Sequence, residues 1–281
     1  MRLSIVIPAH NEGKHLERNV SDFIERLPAE ITSLLCEVII VENGSTDNTL
    51  FACTRLQRKY PHIIRIFSLS KGSYGEAIKK GMLESRGTHV CILECDFLDE
   101  RFVVASSAVH STNRADLVVG SKRHPDSLDK RPLKRRLLTN LYNRVFLNLL
   151  IGYPGTDTHG LKMIQTSIAR TLCDLAITTD EVFQTEIVLL AWRLGFRIEE
   201  VPIQISEGRS SPVSITRRLP KVVSTVQDLR RSLGRFVRRR PIGSQHEMSE
   251  NTSQLMVSSI RKSELKSGEH IHRQFGNPPG W

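Results

Sequence analysis

The sequence contains no long apolar segment and few aromatic residues. No window approaches the roughly eighteen apolar residues that a membrane-spanning helix needs. The apolar run at residues 3–7 stops at Pro8 and is too short for the core of a secretory signal. Aromatic side chains make up only 6% of the chain and no nucleic-acid-binding motif is present, so nucleic acid is not expected as a partner.

Cysteine and glycine are present, but not in the patterns that mark disulfide, metal or phosphate-loop sites. The five cysteines are scattered, and Cys91 and Cys95, four positions apart, have no second Cys or His pair with them. We interpret them as reduced packing residues of a cytoplasmic protein. Neither G-x-x-x-x-G-K-[ST] nor G-x-G-x-x-G occurs, so P-loop nucleoside triphosphatases and Rossmann dehydrogenases lack their signatures here.

Charge is unevenly distributed along the chain. Forty Lys and Arg against thirty Asp and Glu give a net charge of +10, which indicates an anionic partner such as a phospholipid or a phosphorylated substrate. Residues 208–240 hold ten basic side chains and one acidic one, a net +9. Residues 241–281 are polar and without periodicity, which predicts a disordered tail after one large domain over 1–240.

The first 120 residues alternate β-branched runs with amphipathic stretches. This alternation predicts an α/β fold in which a mostly parallel central sheet is flanked by helices. The predicted strands cover 3–8, 36–42, 63–69, 89–94, 115–121 and, farther along, 196–205. The predicted helices cover 12–27, 46–59, 73–85, 133–151, 165–176 and 181–195.

Polar residues follow the first five predicted strands. Ligands of parallel sheets bind beyond the carboxyl ends of the strands, so these residues are expected to share one functional edge. For any single strand end, an ordinary capped turn explains the same residues. The five ends lie at 8–12, 42–47, 70–73, 94–96 and 120–123.

Two acids close the fourth strand. Glu94 and Asp96 are two residues apart, the spacing that turns both carboxylates the same way, and such oxygen ligands suit Mg²⁺ or Mn²⁺. An exposed acidic turn, with Asp99 and Glu100 starting a helix, is the alternative explanation.

Seven motifs follow one another along the chain: SIVIPAHNE, EVIIVENGSTDNT, KG with GEAIKKGM, ILECD, VVGSKR, DTHGLK and EEVPIQI. In this order and spacing, they resemble the motifs of family 2 glycosyltransferases, most closely those that act on dolichyl or polyprenyl phosphate. The resemblance covers about residues 3–235 and implies a GT-A fold of the nucleotide-diphospho-sugar transferase type. It also implies an inverting, metal-dependent hexosyltransferase with a nucleotide-sugar donor and a lipid-phosphate acceptor.

The resemblance assigns residues to the donor nucleotide-sugar. Asp96 and Glu94 match the acids that bind the metal and the diphosphate, with Asp96 as the principal ligand. Asn43 replaces the second of two family acids that hold base and ribose, which leaves base recognition open. The full set of implied donor contacts is Pro8, Ala9, His10, Glu12, Glu42, Asn43, Lys71, Glu94, Cys95, Asp96, Arg209 and Ser214.

The resemblance also assigns an acceptor side. Lys122, Arg135 and Thr139 match positions that hold the acceptor phosphate, with Lys122 and Arg135 bringing the two anions of the reaction together. A lipid monophosphate is already ionised near neutral pH and needs no strong base, whereas an alcohol acceptor needs one. Asp157 is the candidate base in that case, and His159 a weaker one, but a turn-capping role for Asp157 is an equal alternative.

The basic segment has a helical pattern. Apolar residues recur at helical spacing over 219–240 with Arg between them, which is typical of a helix lying on an anionic membrane surface. A helix packed on the domain is the alternative. We therefore expect a cytoplasmic protein attached peripherally to the cytosolic membrane face, directly or through a membrane partner. The competing functions are a soluble family 2 enzyme with an alcohol or small phosphorylated acceptor, and a non-catalytic nucleotide-binding protein.

Overall fold

The computed structural model describes residues 1–130 and 151–205, with Gly234 as an isolated position. The strands are β1 (Leu3–Ala9), β2 (Leu35–Asn43), β3 (Ile64–Leu69), β4 (His89–Ile92), β5 (Leu117–Ser121), β6 (Leu128–Asp129), β7 (Lys162–Gln165), β8 (Ile198–Pro202) and β9 (Gln204–Ile205). The helices are α1 (Leu16–Arg26), α2 (Ala29–Leu34), α3 (Thr49–Lys59), α4 (Tyr74–Glu84), α5 (Glu100–Ser111), α6 (Thr166–Leu175) and α7 (Phe183–Arg193).

Seven of the strands form one mixed sheet in the order β3-β2-β1-β4-β7-β5-β8. β1 pairs in parallel with β2 and β4, β2 with β3, and β5 with β8. Only β7 runs against its neighbours in this sheet, between β4 and β5. The predicted α/β class with a mostly parallel central sheet is confirmed.

Alternation along the strands builds a separate core on each face of the sheet. On β1, Leu3, Ile5 and Ile7 pack with α1, α3 and α5, whereas Val6 packs with α4, α6 and α7. All seven residues of β1 are buried, as expected for a strand covered on both faces. Burial on both faces therefore fixes the strands from which the loops of the site begin.

Most predicted elements overlap the observed ones, but α5 and β6 are absent from the predicted ranges, and the helix predicted over 133–151 lies outside the described residues except at its last position. The first predicted helix ends at Arg26, because Pro28 disfavours helical backbone at the residue before it, and a new helix, α2, follows. The predicted strand over 196–205 divides into β8 and β9, and β9 pairs with β6 in a separate two-stranded sheet. The central strand β7 was not predicted.

The cysteines serve as packing residues, as predicted. All five are free thiols, and Cys53, Cys91, Cys95 and Cys173 are buried. Within the described ranges, no helix combines the length and the apolar character needed to cross a bilayer. The predicted basic helix over 219–240 and the tail over 241–281 lie outside the described residues.

Candidate active site

The carboxyl ends of β1 to β5 lie along one edge of the sheet, as the sequence predicted. Along this edge, hydrogen bonds connect the loop after β1 to the end of β2. His10 Nδ1 lies 2.7 Å from the Asn43 carbonyl oxygen and donates to it, while Nε2 accepts from Asn11 Nδ2 at 3.1 Å. These partners assign the proton to Nδ1. Asn43 Oδ1 accepts from the Ser73 backbone N–H at 2.6 Å, which joins the start of α4 to the same cluster.

Glu42 is a buried carboxylate that stays ionised. Its Oε1 accepts from the Ser45 backbone N–H at 2.5 Å, and its Oε2 accepts from the Ser68 hydroxyl. Burial opposes ionisation, but these hydrogen bonds outweigh it, so the pKa of Glu42 lies below its ordinary value. An ionised carboxylate here can accept hydrogen bonds from the hydroxyl or ring N–H groups of a nucleoside.

The loops after β2 and β3 touch through their backbones. Gly44 has a φ of +61°, and a Cβ added to it would lie 2.5 Å from the Gly72 backbone nitrogen. Only glycine therefore fits this contact. The contact fixes the position of the Gly72 turn, whose neighbour Lys71 has an exposed side chain.

The remaining predicted donor residues lie on β1 and in the loop after it. Pro8 and Ala9 are buried in the last two positions of β1, opposite Val41 and Glu42. The Glu12 backbone N–H donates to the Thr49 hydroxyl at 2.8 Å, which fixes the loop against α3. These residues therefore shape the edge mainly through their backbones.

The two acids after β4 lie in a tight turn. The Phe97 backbone N–H donates to the Glu94 carbonyl at 2.9 Å and closes the turn. Asp96 is exposed, and no described residue bonds to its carboxylate. Cys95 is buried, and its carbonyl accepts from Asn19 Nδ2 at 3.0 Å. The turn thus presents Asp96 to solvent at the functional edge.

Asp99 and Glu100 belong to the next helix rather than to the turn. Asp99 is the N-cap of α5, where its Oδ1 accepts from the Arg101 backbone N–H at 3.0 Å, and Glu100 lies in the first turn. The acidic cluster of the sequence therefore separates into a helix cap and the pair Glu94 and Asp96.

Glu94 is held by neutral donors. The Tyr74 hydroxyl and Gln184 Nε2 both donate to its Oε1, the latter at 3.0 Å. Desolvation raises the pKa of Glu94 above its ordinary value, although these hydrogen bonds and the positive charge of Lys162 oppose the rise. A cation close to this carboxylate would favour its ionised form.

The donor set fits a hard divalent cation. Glu94 and Asp96 offer carboxylate oxygens, and Mg²⁺ is usually held by one or two carboxylates together with substrate phosphates and water. Among the described residues there is no group of three or more His, Cys, Asp or Glu side chains that could hold a metal alone. Glu94 and Asp96 would therefore share the ion with the donor diphosphate.

A second loop reaches the edge from residues 156–160. The Asp157 carboxylate is buried; its Oδ1 accepts from the His159 backbone N–H at 3.0 Å and its Oδ2 from that of Lys122 at 3.2 Å. Glu200 on β8 accepts from the Thr156 backbone N–H at 2.6 Å. Asp157 thus has the turn-capping contacts that the sequence left open, and its role as a base stays a prediction.

Lys162 is a fully buried lysine that the sequence prediction missed. It is the first residue of β7, and its Nζ donates to the Gly160 carbonyl at 2.9 Å and to Gln184 Oε1. Burial lowers its pKa to about 7, although the charges of Asp157 and Glu94 act in the opposite direction. The signal in the sequence was a lysine within the apolar stretch LKMI.

The acceptor-side residues are only partly described. Lys122 follows β5, and a Cβ added to Gly160 would lie 3.9 Å from its Nζ, so this ammonium group lies over the Gly160 turn. Tyr74, Lys162 and Gln184 connect that turn to Glu94, and none of the three was predicted. The predicted contacts Arg135, Thr139, Arg209 and Ser214 lie outside the described residues.

Comparison with known proteins gives concordant results. The family model described as "Glycosyl transferase family 2" matches residues 4–172. A dolichyl-phosphate beta-glucosyltransferase of Trichomonas vaginalis is 28% identical over 227 residues, covering 76% of this chain and 68% of the relative. The dolichyl-phosphate beta-glucosyltransferase of Saccharomyces cerevisiae is also 28% identical, over 234 residues, covering 76% of this chain and 69% of the relative.

Solved structures share the fold. Glucosyl-3-phosphoglycerate synthase from Mycobacterium tuberculosis, in complex with Mn²⁺, uridine diphosphate and phosphoglyceric acid, superposes with a TM-score of 0.63 at 21% identity. The match covers 83% of this chain and 78% of that one. The predicted GT-A fold is thereby confirmed, and the matched family model shows that the chain belongs to glycosyl transferase family 2.

Proposed function

We propose that the protein transfers a hexosyl group from a nucleotide-sugar to a dolichyl or polyprenyl phosphate. The observation that carries the proposal is that two loops of different charge, one acidic and one basic, lie at the same edge of the sheet. The turn with Glu94 and Asp96 after β4 offers oxygen ligands for a metal that binds the diphosphate, and the end of β5, beyond β7 in the sheet, offers Lys122 beside the Gly160 turn. The names of the two relatives described above support this acceptor class.

The proposed reaction is a single displacement with inversion. A phosphate oxygen of the acceptor attacks the anomeric carbon of the sugar, and the bond from that carbon to the diphosphate oxygen breaks, which releases the nucleoside diphosphate. A bound Mg²⁺ or Mn²⁺ would stabilise the negative charge that develops on this leaving group. Glu94 and Asp96 would hold the cation that neutralises the donor diphosphate, and Lys122 draws the acceptor phosphate to the same edge.

The acceptor determines whether a base is needed. A phosphate monoester is already ionised near neutral pH, so its transfer needs positioning and charge stabilisation more than proton removal. In this proposal, Asp157 fixes the loop through the His159 and Lys122 backbone N–H groups. An alcohol acceptor would instead require the Asp157 carboxylate to take a proton.

A transfer assay tests the proposal directly. The full chain is incubated with radiolabelled UDP-glucose or GDP-mannose, Mn²⁺, and dolichyl phosphate, 3-phosphoglycerate or a simple alcohol. We expect label in the lipid phosphate product, with loss of transfer in Asp96→Ala. Label found only in a water-soluble product would favour a soluble enzyme with an alcohol or small phosphorylated acceptor. No transfer with any combination of donor and acceptor would contradict the proposal that the protein is an enzyme.

We also propose that the protein acts on the cytosolic membrane face, because its acceptor chain is buried in a bilayer. The support is the +9 charge of residues 208–240, which would attract anionic lipid. Co-sedimentation with phosphatidylserine vesicles should fall when Arg238, Arg239 and Arg240 are changed to Gln. Binding that is equal with phosphatidylcholine vesicles, or unaffected by these changes, would contradict the attachment.

A further inference from the structure

Gln184, near the start of α7, is almost fully buried and connects both halves of the site. Its Nε2 donates to Glu94 Oε1 at 3.0 Å and to the Tyr74 hydroxyl. Its Oε1 accepts from the Gly160 backbone N–H at 3.2 Å and from Lys162 Nζ. All the polar atoms of its amide therefore bond to groups at the functional edge.

We infer that Gln184 is a positioning residue, with Lys162 as the group that fixes the orientation of its amide. In this role Gln184 holds the Glu94 carboxylate for the metal and the donor diphosphate, and it holds the Gly160 turn beside Lys122 for the acceptor. The inference rests on the proposed function and extends it to residues that do not contact either substrate.

The orientation of the amide follows from the donors around it. The Gly160 backbone N–H can only donate, and Lys162 Nζ donates from the same side, so Gln184 must turn its carbonyl oxygen toward these two groups. The NH₂ group is then directed at Glu94 and Tyr74. Without Lys162, the amide would lose its charged donor, and rotation by half a turn would place its oxygen against the Glu94 carboxylate.

Stability alone does not account for Lys162. Removing an ammonium group from water is costly, and its direct partners are a carbonyl and an amide oxygen rather than a carboxylate. A methionine of similar length would fill the same volume between β4 and β5 without that cost. The charged donor is therefore better explained by what it does to Gln184.

A double-mutant cycle tests the inference through metal binding rather than turnover. The variants are Lys162→Met, Gln184→Met and their combination, and the readout is Mn²⁺ affinity in the presence of UDP, from the electron paramagnetic resonance signal of free Mn²⁺. We expect each single change to weaken Mn²⁺ binding by roughly 10- to 100-fold, the usual effect of losing a group that orients a metal ligand. The double variant should be no weaker than Gln184→Met, because Lys162 acts through Gln184.

The controls separate positioning from folding and from the proposed function itself. Glu37→Gln, at the opposite edge, should lower the melting temperature and leave Mn²⁺ affinity unchanged. Gln184→Asn keeps a buried amide that is too short to reach all its partners, and it should weaken Mn²⁺ binding in a folded protein. Additive losses in the cycle, or unchanged Mn²⁺ affinity in Gln184→Asn, would overturn the inference. A wild-type protein that binds no Mn²⁺ with UDP would instead contradict the proposed function.

Discussion

The two ends of the sheet offer a contrast between Glu37, which is buried, and Glu94, which is partly buried, and the two carboxylates are held in opposite ways. At the amino end, Glu37 accepts from Arg65 Nη1 at 2.6 Å, from the Ser4 hydroxyl at 2.7 Å and from the Arg86 backbone N–H at 2.6 Å. At the carboxyl end, Glu94 is bonded only by the neutral donors Tyr74 and Gln184 among the described side chains.

The difference changes the ionisation of the two side chains. Burial opposes the charge on Glu37, but the hydrogen bond from Arg65 and the other donors outweigh it and lower its pKa. Desolvation raises the pKa of Glu94, for which no direct cationic partner is present among the described residues. A buried carboxylate therefore does not mark a site by itself. A carboxylate whose neighbours leave its charge uncompensated is ready for a ligand cation.

The largest expected effect is the loss of stability in Glu37→Gln. The amide cannot neutralise Arg65, which would keep only its longer ion pair with Glu84, 3.6 Å between Nη2 and Oε2, so we expect a loss of about 3 kcal/mol, near the lower end for breaking a buried pair. Urea denaturation measures the loss. Glycosyl transfer at low temperature should stay near wild type, and a strong fall in a folded variant would show that the amino end takes part in function.

Glu94→Gln should show the reverse pattern. The change removes a carboxylate whose ionised form is disfavoured by its surroundings, so the free energy of unfolding should not fall by more than about 0.5 kcal/mol. Mn²⁺-dependent transfer should fall roughly 10- to 100-fold. If stability fell as in Glu37→Gln while transfer persisted, Glu94 would be a structural residue and the contrast between the two ends would disappear.

Gly44→Ala tests the crowding of the functional edge. Its φ of +61° costs an alanine about 1–2 kcal/mol, and the added Cβ would also push the Gly72 backbone away. Gly152 is the matched control, because its φ is +78° but no described residue lies within 4 Å of an added Cβ. We expect similar backbone strain in both variants and a raised KM for the nucleotide-sugar only in Gly44→Ala, as measured in transfer assays.

Stability should also depend on pH through a histidine at the amino end of the sheet. Burial, and then the neighbouring His110 ring at 4.6 Å, lower the pKa of His89 from 6.5 to about 4. The unfolded chain therefore binds this proton first, and stability should fall as the pH falls from about 6.5 to 4. Urea denaturation at several pH values should show a shallower fall in His89→Gln. An identical slope in that variant would assign the acid sensitivity to other groups.

Much of the donor half could be predicted from the sequence, because its signals are local. Each parallel strand is an apolar run that ends in polar residues, so the order of elements placed Glu42, Asn43, Glu94 and Asp96 at one edge. The acceptor half depends on contacts between distant residues. Gln184 lies 90 positions from Glu94, and nothing in its local pattern distinguishes it from a surface residue at the start of a helix.

The strand β7 was missed for a related reason. It is only four residues long, and its lysine breaks the apolar pattern that predicts a buried strand. Its direction depends on the space between β4 and β5, and a short stretch of sequence carries no information about that space. The turn-capping contacts of Asp157 were left open because they require the neighbouring end of β5 to be in place.

β7 comes late in the sequence but lies between β4 and β5 in the sheet, and this position also sets an order of assembly. β1 to β4 can form a sheet from the first 92 residues, and the turn with Asp96 follows at once. β5 has no partner on that sheet until residues 162–165 arrive to fill the space between them. During synthesis we therefore expect the half of the protein with the proposed donor site to fold first. A chain interrupted before residue 162 would leave the edge of β4 unpaired, and an unpaired edge strand is an aggregation risk. Pairing with β7 removes this risk.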